Sequence, residues 1–152
     1  SVIELVKKSG YPGMKILQFA FDSREESDYL PHNYTHNCVV YTGTHDNDTV
    51  MGWYGTLKGA DKKLCDDYLR LKNADGEPIP REQLPWEFVR AAMSSVADLA
   101  IIPMQDYLGL GSEARINIPS TLGINWKWRM GNGDFTKELA GRIRSMTKLY
   151  GR

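Results

Sequence analysis

The stretch that decides the fold is "VVYTGTHDNDT", from Val39 to Thr49. Val39, Val40, Tyr41 and Thr42 are all β-formers, the pattern of a strand buried on both faces, as parallel strands are. Gly43 then ends the run and lets the backbone turn, and His45 and Asp46 follow at once. Asp48 is placed to cap a short helix that begins at Thr49. A buried strand that stops at a glycine and presents a histidine and a carboxylate is expected at the carboxyl edge of an α/β sheet. Ligand sites of parallel folds lie there.

The chain on either side supplies the rest of such a sheet. Residues 1–9 read as the end of a helix that stops at Gly10, and "MKILQFAF" (14–21) reads as a strand ending at Asp22. Downstream come a polar helix near 60–71, the turn-rich "NADGEPIP", and a helix over 84–96 with Phe88, Ala92 and Val96 spaced by four. "LAIIPM" (99–104) is a third apolar strand, ending in Gln105 and Asp106. A long loop leads to a last helix from Asp134 or Thr136, with Leu139, Ile143 and Met146 on one face. The alternation predicts an α/β fold, a parallel sheet with covering helices. Each strand ends in side chains able to do chemistry.

Composition narrows the function. The chain has 152 residues, 19 basic and 19 acidic, so its zero net charge gives no reason to expect nucleic acid or an anionic membrane as partner. The 41% hydrophobic and 25% charged residues are ordinary for a soluble globular protein. No apolar run approaches the roughly 20 residues of a membrane span. Cys38 and Cys65 sit in no metal or redox spacing and read as free thiols, so the cytoplasm is the expected compartment. The opening "SVIELVKKSG" carries no signal-peptide pattern, and a helix-like start at Ser1 suggests a chain that begins within something longer.

Each candidate site has a plainer alternative. Asp46 reads equally as a turn or helix cap and as a carboxylate facing a cationic transition state, with His45 donating to a ligand. His32 and His36 have a metal-pair spacing, but Pro31 and Asn33 make the segment a loop, and no metal is expected. Trp53, Tyr54, Trp126 and Trp128 read mostly as core packing, with a sugar-stacking surface as the alternative. "GLGSEA" (109–114) fits a dinucleotide fingerprint, yet no strand joins it directly and Pro119 follows, so the nucleotide reading is rejected.

"GMKILQFAFD", "LPHNY", "VVYTGTHDNDT", "GLGSEARINIP" and "NWKWRM" occur in that order. Together they resemble the C-terminal part of the amylomaltases, the 4-α-glucanotransferases also called disproportionating enzymes. The resemblance implies a (β/α)₈ TIM barrel, of which residues 1–152 would be a single segment of about three βα units. It implies transfer of α-1,4-glucan segments between maltooligosaccharides by a retaining double displacement, with no cofactor. Asp46 would be the transition-state stabiliser, and His45, Asp22 and Asn117 would border the sugar cleft. The family's nucleophile and acid/base motifs match nothing here, so the chain alone is expected to be inactive. A full barrel needs roughly 250 residues, which agrees. Bare strand edges would then favour self-association. The alternative is a non-catalytic α-glucan-binding or interaction module.

Overall fold

The computed structural model describes residues 2–152. Three parallel strands form one sheet in chain order: β1 (Gly13–Ile16), β2 (Cys38–Tyr41) and β3 (Leu99–Ile101). Met14, Val39 and Leu99 stand level across it, as do Ile16, Tyr41 and Ile101. The helices are α1 (Val2–Ser9), α2 (Val50–Tyr54), α3 (Gly59–Leu69), α4 (Leu84–Met93), α5 (Met104–Tyr107) and α6 (Lys137–Leu149). The α/β reading holds, with α2, α3 and α4 forming the long crossover between β2 and β3.

The strands are shorter than their apolar runs suggest. Leu17–Phe19 forms a 3₁₀ turn in place of further strand, and Pro103 leads into α5 where an extended segment is expected. Apolar content reports burial, and buried turns have as much of it as buried strands. Helix α4 also stops early. Phe88 and Ala92 are fully buried, but Val96 lies beyond the helix and is largely exposed. The helix end is capped from far along the chain: the Arg152 guanidinium donates to the carbonyls of Met93, Ser95 and Ala97 at 2.7, 2.7 and 2.8 Å. Such carbonyls otherwise lack partners at a helix C-terminus.

Helix α4 organises the core. Phe88 sits among Phe21, Trp53 and Tyr54, with ring centroids 5.8–6.3 Å away. Ala92 and Ala97 cover Cys38 and Val40 on one face of the sheet. Trp86, Val89 and Met93 receive Leu139, Ile143 and Met146 of α6, the face expected from their spacing. Thr136 starts that helix, its hydroxyl accepting from the Leu139 N–H at 3.1 Å. The opposite face of the sheet is bare: Met14, Leu99 and Ile101 are 58%, 51% and 41% exposed. No helix among the described residues is long and apolar enough to cross a membrane.

Candidate active site

Beyond the end of β2, residues 43–49 fold into a compact loop that presents His45 and Asp46. Inside it, the Asn47 carboxamide oxygen accepts from the Thr44 N–H at 2.9 Å and from its hydroxyl at 2.7 Å. Gly43 serves by being small. A Cβ there would lie 2.5 Å from Gln18 Nε2, which donates to the Asp48 carbonyl at 2.8 Å. Its φ is not in the left-handed region, so close approach, and not a special turn, requires the glycine.

The helix cap is not the expected one. Thr49 is the N-cap of α2, its hydroxyl accepting from the Gly52 N–H at 3.1 Å. The Asp48 carboxylate is held instead by its neighbour's N–H at 2.8 Å and by the Ser112 hydroxyl at 2.6 Å. Gly52 makes room for this crossing, since a Cβ would lie 2.3 Å from Ser112 Oγ. The "GLGSEAR" segment is therefore not a strand-to-helix phosphate loop. Ser112–Ala114 is a 3₁₀ turn that reaches back to the loop carrying Asp46.

The same segment continues the grip. Arg115 donates from Nη2 to the Asp46 carbonyl at 2.7 Å and from Nε to the Asn117 carbonyl at 2.9 Å. The Asn117 N–H donates to the His45 carbonyl at 3.1 Å, and its Nδ2 donates to Asp46 Oδ1 at 2.6 Å. His45 Nε2 lies 3.4 Å from that same oxygen. Asp46 Oδ2 accepts no hydrogen bond among the described residues, and about half of the Asp46 side chain is exposed. Thr49, and not Asp46, caps the helix that follows, and the Asp46 carboxylate accepts from the Asn117 side chain.

Below the loop sits Asp106. It is buried and accepts from the Thr42 hydroxyl and from the Val50 N–H, the latter at 2.8 Å. Burial pushes its carboxyl up to about 6, against the pull of those two donors and with the Asp48 charge adding to the rise. Gln105 is buried too, donating to the Ala114 carbonyl at 3.2 Å. The end of β3 thus supplies a foundation, where the sequence suggested a third set of rim groups.

The structure brings Asp46, His45 and Asn117 together and leaves Asp22 in a different setting. Arg24 donates to both Asp22 oxygens, at 2.8 and 2.6 Å, and these bonds hold that carboxyl down at about 2. His32 faces the Tyr68 hydroxyl at 3.0 Å and His36 faces Asp98 at 4.0 Å, so the two histidines point to separate partners. Arg115 and Ser112 were not singled out as site residues by sequence reasoning, and Trp126 entered only as one of four aromatics with sugar stacking as the alternative to core packing. Only contacts across about 70 positions reveal them. The Trp126 ring lies 5.1 Å from that of His45, inclined by 37°.

A cleft of about 780 Å³ opens beside this group, walled by His45, Asp46 and Asn47 and floored by Met14, Tyr41 and Ile101 of the bare sheet face. A second cleft, of about 480 Å³, lies between α4, α5 and α6. Arg142 sits there 3.7 Å over the Trp86 ring and blocks that aromatic surface. The first cleft holds the carboxylate and imidazole at the end of a strand.

A parallel βα segment with a carboxylate–imidazole–amide cluster at the carboxyl end of its central strand has the layout of an α/β ligand site. The chain belongs to the 4-alpha-glucanotransferase family, whose model matches residues 1–134. It is 49% identical over 151 residues to a 4-alpha-glucanotransferase of Clostridium butyricum, covering 99% of this chain and 30% of that protein. It is 48% identical over 143 residues to one from Thermus thermophilus, covering 91% of this chain and 28% of the relative. An amylomaltase of Streptococcus agalactiae, solved in complex with acarbose, superposes with a TM-score of 0.86 at 36% identity. That match covers 99% of this chain and 29% of the amylomaltase, a TIM-barrel enzyme. The chain spans less than a third of the length of these relatives.

Proposed function

We propose that residues 1–152 act as one segment of a 4-α-glucanotransferase barrel and supply the carboxylate that stabilises its transition state. Asp46 is that carboxylate, and His45 and Asn117 bind the sugar beside it. The observation that carries this reading is the posture of Asp46. One oxygen is fixed by Asn117 at 2.6 Å, in a side chain that is half exposed and lines the cleft. A fixed charge at the place where positive charge develops lowers a barrier because it needs no reorganisation during the reaction. In a retaining glucan transfer, that charge is the oxocarbenium-like sugar formed as one bond breaks and the next forms. Asp22 we place on the border of the sugar cleft. Its pairing with Arg24 makes it a fixed acceptor for a hydroxyl and leaves it no part in proton transfer.

The substrate is a maltooligosaccharide or other α-1,4-glucan, with no cofactor. The nucleophile and acid/base must stand about 5–5.5 Å apart across the scissile bond, and neither role falls on Asp22, Asp46 or Asp106. Residues 1–152 alone are expected to release no glucose and no longer dextrins from maltotriose. The buried free thiols Cys38 and Cys65 support a reducing compartment such as the cytoplasm.

The test grafts residues 1–152 into the Clostridium butyricum relative in place of its matching segment. The chimera should disproportionate maltotriose. Asp46→Asn should keep its circular dichroism spectrum and lose at least about 10²-fold in kcat. Near-normal turnover by that variant would return Asp46 to a structural role. Glucan binding by residues 1–152 with no activity in the chimera would favour the binding-module reading.

A further inference from the structure

We propose that Asp106 is a positioning residue for the transfer reaction: one buried carboxylate ties together both ends of the loop that carries His45 and Asp46, and so fixes where the Asp46 charge stands. The inference rests on the reading of Asp46 given above and deepens it.

The geometry is specific to that loop. Oδ2 of Asp106 accepts from the hydroxyl of Thr42, the residue just before Gly43. Oδ1 accepts from the N–H of Val50, the residue just after Thr49. Residues 43–49 thus leave and rejoin the fold at a single carboxyl group, 64 and 56 positions further along the chain. Thr42, Val50 and Asp106 are all buried, whereas His45 and Asp46 in the middle of the loop reach the cleft. A charge that must act at a fixed point is held there by groups behind it whose own places are locked by packing.

The neighbour of Asp106 holds the other half of the cluster. Gln105 Nε2 donates to the Ala114 carbonyl at 3.2 Å. From that point Arg115 and Asn117 go on to grip the carbonyl and the carboxylate of Asp46. The short helix α5 is therefore the common base of both arms. Asn117 and Asp46 meet at 2.6 Å only while the two arms keep register, and two adjacent residues of α5 set it.

Helix capping does not account for Asp106. Thr49 already caps α2, and a cap would leave the bond to Thr42 unexplained. Nor is the carboxylate held by a counter-charge. Among the described residues it faces the end of β2 through Thr42 and the first turn of α2 through Val50, while the Asp48 carboxylate only repels it. A buried ion without a cation costs stability that an apolar side chain of similar size would not. What it supplies in return is the tie between the two ends of the loop.

The experiment joins the chimera described above with NMR of the 152-residue chain. Asp106→Ala keeps neither tie and should lower kcat for maltotriose disproportionation by about 10²-fold, the scale of a roughly 1 Å misplacement at an active site. In the 152-residue chain the same change should move the side-chain amide signal of Asn117, assigned by its loss in Asn117→Ser. Asp106→Asn can keep both contacts, with the one to Thr42 reversed, and should restore most of kcat and the Asn117 signal. Phe88→Leu controls for stability alone: it should lower the urea midpoint and leave kcat per folded molecule and the Asn117 signal unchanged. If Asp106→Ala does not fold, Thr42→Val removes one tie and should move kcat and the signal the same way, with Thr42→Ser restoring both. Unchanged kcat in the alanine variant overturns the proposal, and so does lost kcat with the Asn117 signal in place. Asparagine as damaging as alanine would point to the charge and not to the ties, and would overturn it too. Near-normal turnover by Asp46→Asn sinks the reading of Asp46 itself, whereas a crippled Asp46→Asn beside an unimpaired Asp106→Ala sinks only the positioning role.

Discussion

The two faces of the sheet are built from the same kinds of side chain and have opposite surroundings. On one, Cys38 and Val40 are 1% and 0% exposed beneath Ala92 and Ala97 of the α4 region. On the other, Met14, Leu99 and Ile101 face open space at 41–58% exposure. Parallel strands are ordinarily covered on both faces, so the difference marks the face these residues cover by themselves and the face they leave open. The site lies at the boundary. The loop carrying Asp46 is anchored on the covered side through Asp106 and Gln18, and it opens over the bare side.

The contrast breaks most readily from the covered side. Phe88→Ala should destabilise by about 3–5 kcal/mol, the usual result of emptying a fully buried aromatic position, measured by urea denaturation. Loss below about 1 kcal/mol would mean that α4 is not the organiser of this core.

Asp106→Asn should come next, with a signature in pH. At pH 4 the variant should lose about 1 kcal/mol, because its amide can accept from the Val50 N–H only if its NH₂ turns to Thr42, whose hydroxyl must then accept and give up its own donor bond. The wild-type carboxyl binds its proton more tightly folded than unfolded, at about 6 against the ordinary 3.8. Wild-type stability should therefore fall as pH rises through that window, by at most roughly 3 kcal/mol, and the variant should show no such fall. Parallel pH profiles for the two proteins would remove Asp106 as the cause.

Smaller effects should follow from loosening the loop itself. Arg115→Met removes both donors to the Asp46 and Asn117 carbonyls and should cost about 1 kcal/mol. Amide exchange should accelerate at residues 45–47 and 117 and stay unchanged in α4. On the bare face, Leu99→Ser with Ile101→Thr should shift stability by less than about 0.5 kcal/mol each. Sedimentation should show less self-association, because the exposed apolar patch shrinks. A large loss of stability there would mean that this face is covered after all.

The sequence by itself determined the α/β class, the order of its units and the pairing of His45 with Asp46 at a strand end, while Asn117 joined them only through the family resemblance. Alternating apolar runs, a glycine after the second strand and "GLGSEAR" with "INIP" are local signals, and local signals survive in one dimension. Even there, periodicity overran the structure: strand β1 ends at Ile16, and Val96 lies outside its helix. Only the tertiary structure decided that Thr49 and not Asp48 caps α2, because Ser112, 64 positions away, engages Asp48. It alone sank Asp106 into a foundation, brought Arg152 to the end of α4 and set Trp126 against His45. Each of these depends on which distant donor reaches an acceptor first, or on whether a neighbouring element covers a face. Neither quantity is encoded by the residues on either side of the position, and so none of the three could be read before the chain was folded.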